Sequence, residues 1–296
     1  MKKQQKRTVR LIAIVLAVLL AAGAVVSAVL SLAYAEEAVP SAPVQCTLKM
    51  EYLAEEQALH ISQRLLYTNT SDAALDHVVF YAPAHMLRRE SALNYENDAL
   101  ESVFPYGFAP AGIELESVSV NGVAADWGWQ GKNETALRIA CALEAGGKCE
   151  FEMQYYVLLG SNCAFLGQGD LDVRLSGFYF IPGIYLSDYE EFLTSAPLCY
   201  AQWLQSDAAD YSVTLAIPDA YLPAGTGDQA LVQTENHTSI WQFTATNARE
   251  FAVCFGKRYR EYVGETDSGV RVRVLGNNRS ASKKALSDAI QTIEVY

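Results

Sequence analysis

Apolar and polar residues alternate with a period of two in four stretches of the sequence, at residues 59–67, 151–157, 211–217 and 270–274. Successive side chains of a β-strand point to opposite faces, so this alternation indicates strands with one buried face and one solvent-exposed face. Strands of this kind are typical of antiparallel sheets that pack face to face. The sequence therefore predicts a mainly β protein, with an antiparallel β-sandwich over residues 45–265.

Turn-forming residues separate these stretches. Asn121-Gly122 and Gly146-Gly147 are predicted to connect hairpins, because Asn and Gly accept the positive φ angles that tight hairpin turns require. Residues 84–112 lack the alternation and are predicted to be an irregular excursion from the sheets.

The first 35 residues form a separate segment. Basic residues at positions 2, 3, 6, 7 and 10 precede an uncharged apolar run, Leu11 to Leu32. The small residues Ala33 and Ala35 before Glu36 match a signal-peptidase site. An apolar run of about 20 residues can also span a bilayer, so an uncleaved transmembrane helix stays open as the alternative.

Both alternatives place the chain after Glu36 outside the cytoplasm, since the basic end stays inside. The leader resembles those of bacterial exported proteins. We therefore expect a bacterial protein that is extracytoplasmic, either membrane-anchored or secreted. An uncleaved leader would make the membrane a partner. Residues 36–44, with Pro40 and Pro43, are predicted to be a linker.

The last 31 positions, residues 266–296, differ from the rest. Apolar residues from Ala285 onward fall at helical spacing, and Ser280 or Ser282 can cap the start of the helix. No C-cap signal precedes Tyr296. We therefore expect one incomplete C-terminal helix that begins a following domain.

The charge balance excludes one class of partner. The chain carries 34 Asp and Glu against 22 Lys and Arg, a formal net charge of -12. Nucleic-acid binding requires a basic face, so no nucleic-acid partner is expected. Adhesion of the folded body to anionic lipid is disfavoured for the same reason.

An even number of cysteines follows the apolar leader, which allows three disulfides in an oxidising compartment. Cys141 and Cys149 are the most favoured local pair, because they flank the turn at Ala145-Gly146-Gly147. Buried free thiols are an equally open alternative. The six residues are Cys46, Cys141, Cys149, Cys163, Cys199 and Cys254.

No motif of a hydrolytic or metal-dependent enzyme is present in the sequence. An H-E-x-x-H zinc site needs two histidines one helical turn apart, and no pair among His60, His77, His85 and His237 has that spacing. Ser176-Gly177 lacks the first Gly of a nucleophile elbow. We therefore predict no catalytic residue, no metal ligand and no cofactor in this chain.

Two further stretches admit a weaker functional interpretation. Asp170 and Asp172 beside Gly169 suggest a calcium loop, against the simpler interpretation of a polar turn. The aromatic residues between Phe178 and Tyr185 suggest a stacking platform for carbohydrate, but core packing is the favoured interpretation.

Several short stretches resemble, in order, segments of the N-terminal β-sandwich domain of the M1 (gluzincin) zinc metalloaminopeptidases. Asp210-Tyr211-Ser212-Val213-Thr214-Leu215-Ala216-Ile217-Pro218 is similar to the family's D-Y-x-V-x-I-x-x-P strand. Asn247-Ala248-Arg249-Glu250-Phe251-Ala252 resembles x-x-R-D-F-A, with Glu250 in place of Asp. The other stretches are residues 65–71, 118–122, 143–155 and 180–185.

The resemblance implies a function for the whole protein rather than for this chain. It implies the non-catalytic N-terminal domain of an exported M1-like zinc metallopeptidase, whose catalytic domain is missing here. The zinc ligands, the general-base Glu and the proton-donating Tyr of the family would then lie beyond Tyr296, with peptides as ligands of the full-length enzyme. Around Gly167-Gln168-Gly169, a loop residue could help hold the free amine of a substrate. The alternative is a stand-alone extracytoplasmic binding or scaffold protein built on the same sandwich.

Overall fold

The computed structural model describes residues 42–88, 104, 107–131, 134–161, 166–193 and 206–295. The predicted leader, with Ala33, Ala35 and Glu36, lies outside the described residues, as does most of the linker. Among the described residues, no helix is both long and apolar enough to cross a membrane.

The strands of the first half are β1 (Val44–Leu53), β2 (Ala58–Thr68), β3 (Leu75–Tyr81), β4 (Gly112–Val120), β5 (Val123–Ala124), β6 (Trp127–Gln130), β7 (Ala136–Leu143) and β8 (Lys148–Leu158). The remaining strands are β9 (Leu166–Gln168), β10 (Asp172–Leu175), β11 (Ile181–Pro182), β12 (Tyr185–Leu186), β13 (Glu191–Phe192), β14 (Ala209–Pro218), β15 (Tyr221–Gly225), β16 (Asp228–Glu235), β17 (Thr238–Ala248), β18 (Val253–Lys257), β19 (Arg260–Glu265) and β20 (Arg271–Gly276). The helices are α1 (Pro83–Met86), a 3-10 turn (Ser187–Tyr189) and α2 (Arg279–Val295).

One large sheet forms the first layer of the fold. Its eight strands lie in the order β16-β17-β14-β1-β2-β8-β4-β5. All of its pairs are antiparallel except β1 and β14, which run parallel. A parallel pair needs a long connection between its strands, and the chain between Leu53 and Ala209 provides one.

Alternate residues of the large sheet enter the core, as the sequence pattern predicts. In β8, Phe151, Met153, Tyr155 and Val157 are fully buried, while the intervening residues are exposed or partly exposed. The strands β1, β2 and β14 show the same alternation of buried and more exposed positions. One face of the strands β1, β2, β8 and β14 is therefore a mostly apolar surface that faces the core.

Two smaller sheets supply the second layer. Their strand orders are β11-β3-β7-β6 and β15-β18-β10-β9. Buried side chains of β3, β7, β10 and β18 join those of the large sheet in one hydrophobic cluster. The predicted mainly β sandwich is thus confirmed, with one parallel pair in a sheet that we expected to be entirely antiparallel.

One of the two predicted hairpin turns is confirmed and the other is wrong. Asn121 and Gly122 have φ angles of 51° and 77° and join the paired strands β4 and β5. Gly146 and Gly147 instead join β7 to β8, which lie in different sheets. The turn is bonded to Asn69, whose N–H donates to the Gly147 carbonyl at 2.9 Å. This contact carries the chain from one layer to the other.

The C-terminal part contains a hairpin, β19–β20, with α2 packed on it. The predicted boundary between residues 265 and 266 falls at the turn of this hairpin. A Cβ at Gly264 would lie 2.7 Å from Ile290 Cδ1, so the glycine lets the helix approach the strand closely.

The predicted helix caps, Ser280 and Ser282, are wrong. The side chain of Asn278 caps α2, because its Oδ1 accepts hydrogen bonds from the Ser280 and Ala281 amides, both at 3.0 Å. Ser282 is buried one turn further on.

Candidate functional site

The four histidines lie in four separate settings. His85 stacks on Trp129 with ring centroids 3.8 Å apart, and His60 stacks on Tyr156. His77 pairs with Asp76, and His237 Nδ1 lies 3.4 Å from an Asp219 carboxylate oxygen. In the part of the chain that the structure describes, no group of three or more His, Cys, Asp or Glu side chains is placed to hold a metal ion.

The loop that follows β9 is a tight turn whose polar groups are bonded within the protein. The Gln168 side-chain oxygen accepts a hydrogen bond from the Tyr52 hydroxyl at 2.7 Å, which connects β9 to the large sheet. The Gly169 amide donates to the Asp172 carbonyl at 2.8 Å. A Cβ at Gly169 would lie 2.8 Å from Asp172 Oδ1, so a larger residue there would displace the Asp172 side chain.

The two aspartates that suggested a calcium loop have different surroundings. Asp172 accepts a hydrogen bond from the Tyr259 hydroxyl at 3.1 Å, and its other oxygen lies 3.7 Å from Arg174 Nε. Burial, together with the Asp172 carboxylate, raises the pKa of Tyr259 to about 12. Asp170 is exposed at the tip of the turn. The geometry is that of a polar turn.

An open groove of about 420 Å³ lies at the ends of β10, β15 and β18. Arg174, Ser176, Thr226 and Cys254 contribute polar atoms to its lining. Burial raises the pKa of the Cys254 thiol, which keeps that group protonated and weakly nucleophilic. The groove combines one cationic side chain with the Ser176 and Thr226 hydroxyls, which donate to Glu250 and to the Ala252 carbonyl, and it is a candidate ligand site.

Glu250 is hydrogen-bonded to Ser176, one of the residues that line the groove. Its Oε1 accepts hydrogen bonds from the Ser176 hydroxyl and, at 3.2 Å, from the Gly177 amide. The Ser176 hydroxyl therefore donates to the Glu250 carboxylate, which the Gly177 amide holds in place. None of the four histidines is a partner of Ser176 in the contacts given above, so no histidine is placed to activate this serine. This arrangement holds the segment after β10 against the segment before β18.

We expect Glu250→Ala to lower the free energy of unfolding by about 1–3 kcal/mol, because the buried Gly177 amide loses its hydrogen-bond acceptor. Urea denaturation measures the change. Glu56→Ala, at an exposed turn, is the matched control and should stay within about 0.5 kcal/mol of the parent. Equal losses in the two variants would contradict a structural role for Glu250.

The aromatic residues that begin at Phe178 belong to the hydrophobic core, which agrees with the favoured interpretation of the sequence. Phe178, Tyr179 and Phe180 are at most 1% exposed. The Tyr179 hydroxyl donates to the Tyr211 hydroxyl at 2.9 Å and accepts a hydrogen bond from the Phe251 amide at 3.0 Å. These three rings are therefore closed to a carbohydrate ligand.

Sequence reasoning missed the role of Gln63. It occupies an apolar face of β2 and is fully buried. Its side-chain Nε2 donates to the Phe180 carbonyl at 2.6 Å, and its Oε1 accepts from the Phe180 amide at 3.1 Å and the Tyr155 hydroxyl at 2.6 Å. One amide on an otherwise apolar face was the available signal, because a buried polar group needs partners.

The cysteines of the described residues are free thiols. Cys141 lies in β7 and Cys149 in β8, on either side of the turn that connects them, and burial raises the pKa of both thiols. Cys46 and Cys254 lie elsewhere, in β1 and in β18 beside the groove. Cys163 and Cys199 are outside the described residues.

No family model and no curated protein matches the sequence. Solved structures with a similar fold include the M1 zinc metallopeptidase from Deinococcus radiodurans, with a TM-score of 0.48 at 10% identity over 79% of this chain and 46% of that one. A mutant of that enzyme bound to a Tyr-Ser-Ala substrate gives a TM-score of 0.49 at 10% identity, over 79% and 47% of the two chains. A two-domain M1 zinc metallopeptidase mutant bound to L-tryptophan gives 0.47 at 12% identity, over 80% and 48%. The chain spans about half the length of these structures.

Proposed function

We propose that this chain is the non-catalytic N-terminal part of an exported M1-like zinc metallopeptidase, in which the sandwich supports a catalytic domain that follows it. The observation that carries the proposal is a buried junction formed by residues within two of the resembling segments and directly before a third. Tyr179 precedes one segment directly, Tyr211 belongs to the second, and Phe251 belongs to the third. Their hydrogen bonds and ring contacts connect the two layers.

The junction residues indicate a structural role for the resembling segments and not a catalytic one. These residues are buried tyrosines and phenylalanines, whose burial raises the pKa of the Tyr179 and Tyr211 hydroxyls. Groups of this kind hold strands in place and offer neither a nucleophile nor a base at neutral pH. The role that fits them is to keep the sandwich rigid beneath a neighbouring domain.

The described residues do not fit a zinc site, so no step of peptide hydrolysis is assigned to them. In an M1-like enzyme the zinc would belong to the catalytic domain, where it would supply Lewis-acid chemistry for peptide hydrolysis. Substrate contacts from this chain would be limited to surfaces such as the groove beside Arg174.

The proposal is tested by the intact mass of the native protein, taken from its own membrane and secreted fractions. We expect a species far heavier than 32.4 kDa, with peptides beyond Tyr296 that include an H-E-x-x-H segment. A peptide that begins at Glu36 would show that the leader is cleaved. A native species of 32.4 kDa, or one lighter by the leader alone, would overturn the proposal.

A second measurement concerns the chain itself. The purified 296-residue protein, incubated with zinc and then desalted, should retain less than about 0.1 zinc per chain and should not hydrolyse aminoacyl fluorogenic substrates. Stoichiometric zinc with hydrolysis that a chelator abolishes would contradict a non-catalytic role.

The alternative, a stand-alone binding protein, loses the aromatic surface that was one of its two motivations, and the acidic charge of the chain is the other. Phe178, Tyr179 and Phe180 are buried and cannot stack on a sugar. A native mass of 32.4 kDa would restore this alternative and direct attention to the groove beside Arg174.

A further inference from the structure

Cys141 and Cys149 occupy the point where the chain passes from one layer to the other. Cys141 lies in β7 of a four-stranded sheet, at a bulge opposite Asp76. Cys149 is paired with Tyr67 in the eight-stranded sheet. A bulge redirects side chains relative to a regular strand, and this one lies beside the facing layer. A covalent bond between the two residues would therefore join the layers directly.

The two thiols influence each other across the turn. Burial raises the pKa of both, their interaction raises the pKa of Cys141 further, and for Cys149 the same interaction, the Asn121 side chain and the Glu150 amide offset part of the rise. Donors aimed at one sulfur favour its thiolate form. Cys149 is only 1% exposed, whereas Cys141 is partly exposed and is the thiol that an external disulfide reaches first.

The connection between them is held in place independently of the cysteines. Asn69 is 1% exposed, and its side-chain Nδ2 donates to the Glu144 carbonyl at 3.1 Å. Its carbonyl accepts from the Gly146 amide at 3.0 Å, and its amide donates to the Gly147 carbonyl at 2.9 Å. The turn is therefore ordered before any covalent bond forms, so closing the bond needs little rearrangement of the backbone.

We propose that Cys141 and Cys149 form a disulfide that joins the two layers of the sandwich, by exchange with an external disulfide such as that of a thiol–disulfide oxidoreductase or oxidised glutathione. The inference does not depend on the proposed function, since it concerns only this corner of the chain.

The exchange proceeds in two steps. The more exposed Cys141, as thiolate, attacks one sulfur of the external disulfide, forms a mixed disulfide and releases one thiolate. The Cys149 thiolate then attacks the Cys141 sulfur, forms the Cys141–Cys149 bond and releases the second thiolate. The cysteine pair loses two electrons, the external disulfide gains them, and the two thiol protons pass through solvent to the released thiolates.

Burial sets the speed of the first step. It raises the pKa of the Cys141 thiol to about 12, so only about one molecule in 100,000 carries the thiolate at pH 7. The uncatalysed exchange should be slow and should accelerate about tenfold per pH unit between pH 7 and 9. A catalyst that binds the corner is therefore needed for rapid oxidation at neutral pH.

The test uses the purified, reduced full chain, exposed to oxidised glutathione, quenched with an alkylating agent and mapped by mass spectrometry after trypsin digestion. We expect peptide 139–148 to be linked to peptide 149–174, with the linked pair lighter by two hydrogen atoms than the separate thiol peptides. The linkage should form about tenfold faster for each added pH unit.

Cys163 shares the second tryptic peptide with Cys149, so two variants separate them. Cys163→Ser should leave the linkage unchanged, and Cys149→Ser should abolish it. A linkage that survives Cys149→Ser and disappears with Cys163→Ser would overturn the proposal. So would a wild-type chain in which Cys141 is still alkylated, and therefore still a free thiol, after prolonged exposure to oxidised glutathione, a result that needs no variant to fold.

Discussion

Replacing Phe251 by alanine is expected to lower the free energy of unfolding by about 3–5 kcal/mol. Phe251 is fully buried, and its ring centroid lies 5.6 Å from that of Phe243, 6.0 Å from that of Tyr211 and 6.4 Å from that of Phe178. The substitution leaves a cavity between the two layers, which close-packed neighbours refill only in part. The loss should exceed that of any exposed substitution in the chain.

Urea denaturation, followed by intrinsic fluorescence, measures this loss. Phe251→Leu retains most of the apolar volume and should cost less than the alanine variant. Val232→Ala, on the edge strand β16 where Val232 is 60% exposed, should stay within about 0.5 kcal/mol of the parent. If Phe251→Ala behaved like Val232→Ala, the junction would not hold the layers together. The proposed function would then lose its supporting observation.

The sequence could predict the strands because their alternation is a local property. The stretches 59–67, 151–157 and 211–217 all fall within strands whose apolar positions are buried, in β2, β8 and β14. Which strands become neighbours is not a local property. The parallel pairing of β1 with β14 joins residues far apart in sequence, and no period in either strand encodes it.

The errors in the turn and cap predictions have the same origin. Gly146-Gly147 has the residues of a hairpin turn, yet Asn69, distant in sequence, bonds to it and directs β8 into the other sheet. At α2, Asn278, Ser280 and Ser282 are all capping residue types, and the end of the preceding hairpin decides which one lies at the first turn. The residue types limit which turn or cap can form, and contacts with residues distant in the sequence determine which one does.

The groove beside Arg174 could not be predicted for a related reason. Its lining comes from β10, β15 and β18, which are far apart in the sequence and meet only when the sheet forms. None of the three segments carries a motif by itself. The absence of an H-E-x-x-H motif, in contrast, is readable from spacing alone, because both histidines must lie on one helix.

Replacing Gln63 by leucine is expected to lower the free energy of unfolding by about 2–5 kcal/mol, although the change makes the residue more apolar. The Phe180 amide and carbonyl and the Tyr155 hydroxyl would all lose their partner in a buried setting. An unsatisfied buried polar group costs its desolvation free energy, which exceeds the gain from one apolar side chain. Gln45→Leu, the same change at an exposed position of β1, is the matched control and should have little effect.

A double-mutant cycle with Tyr155→Phe separates the hydrogen bond from the packing. Tyr155→Phe alone should cost about 1 kcal/mol, because it removes one donor to Gln63 and keeps the ring. In the double variant Gln63→Leu/Tyr155→Phe no tyrosine hydroxyl is left unpaired, so the combined loss should be smaller than the sum of the two single losses by about 1–2 kcal/mol. Strictly additive losses would show that Gln63 acts on the Phe180 backbone alone. The buried amide would then connect the aromatic segment to the large sheet without help from Tyr155.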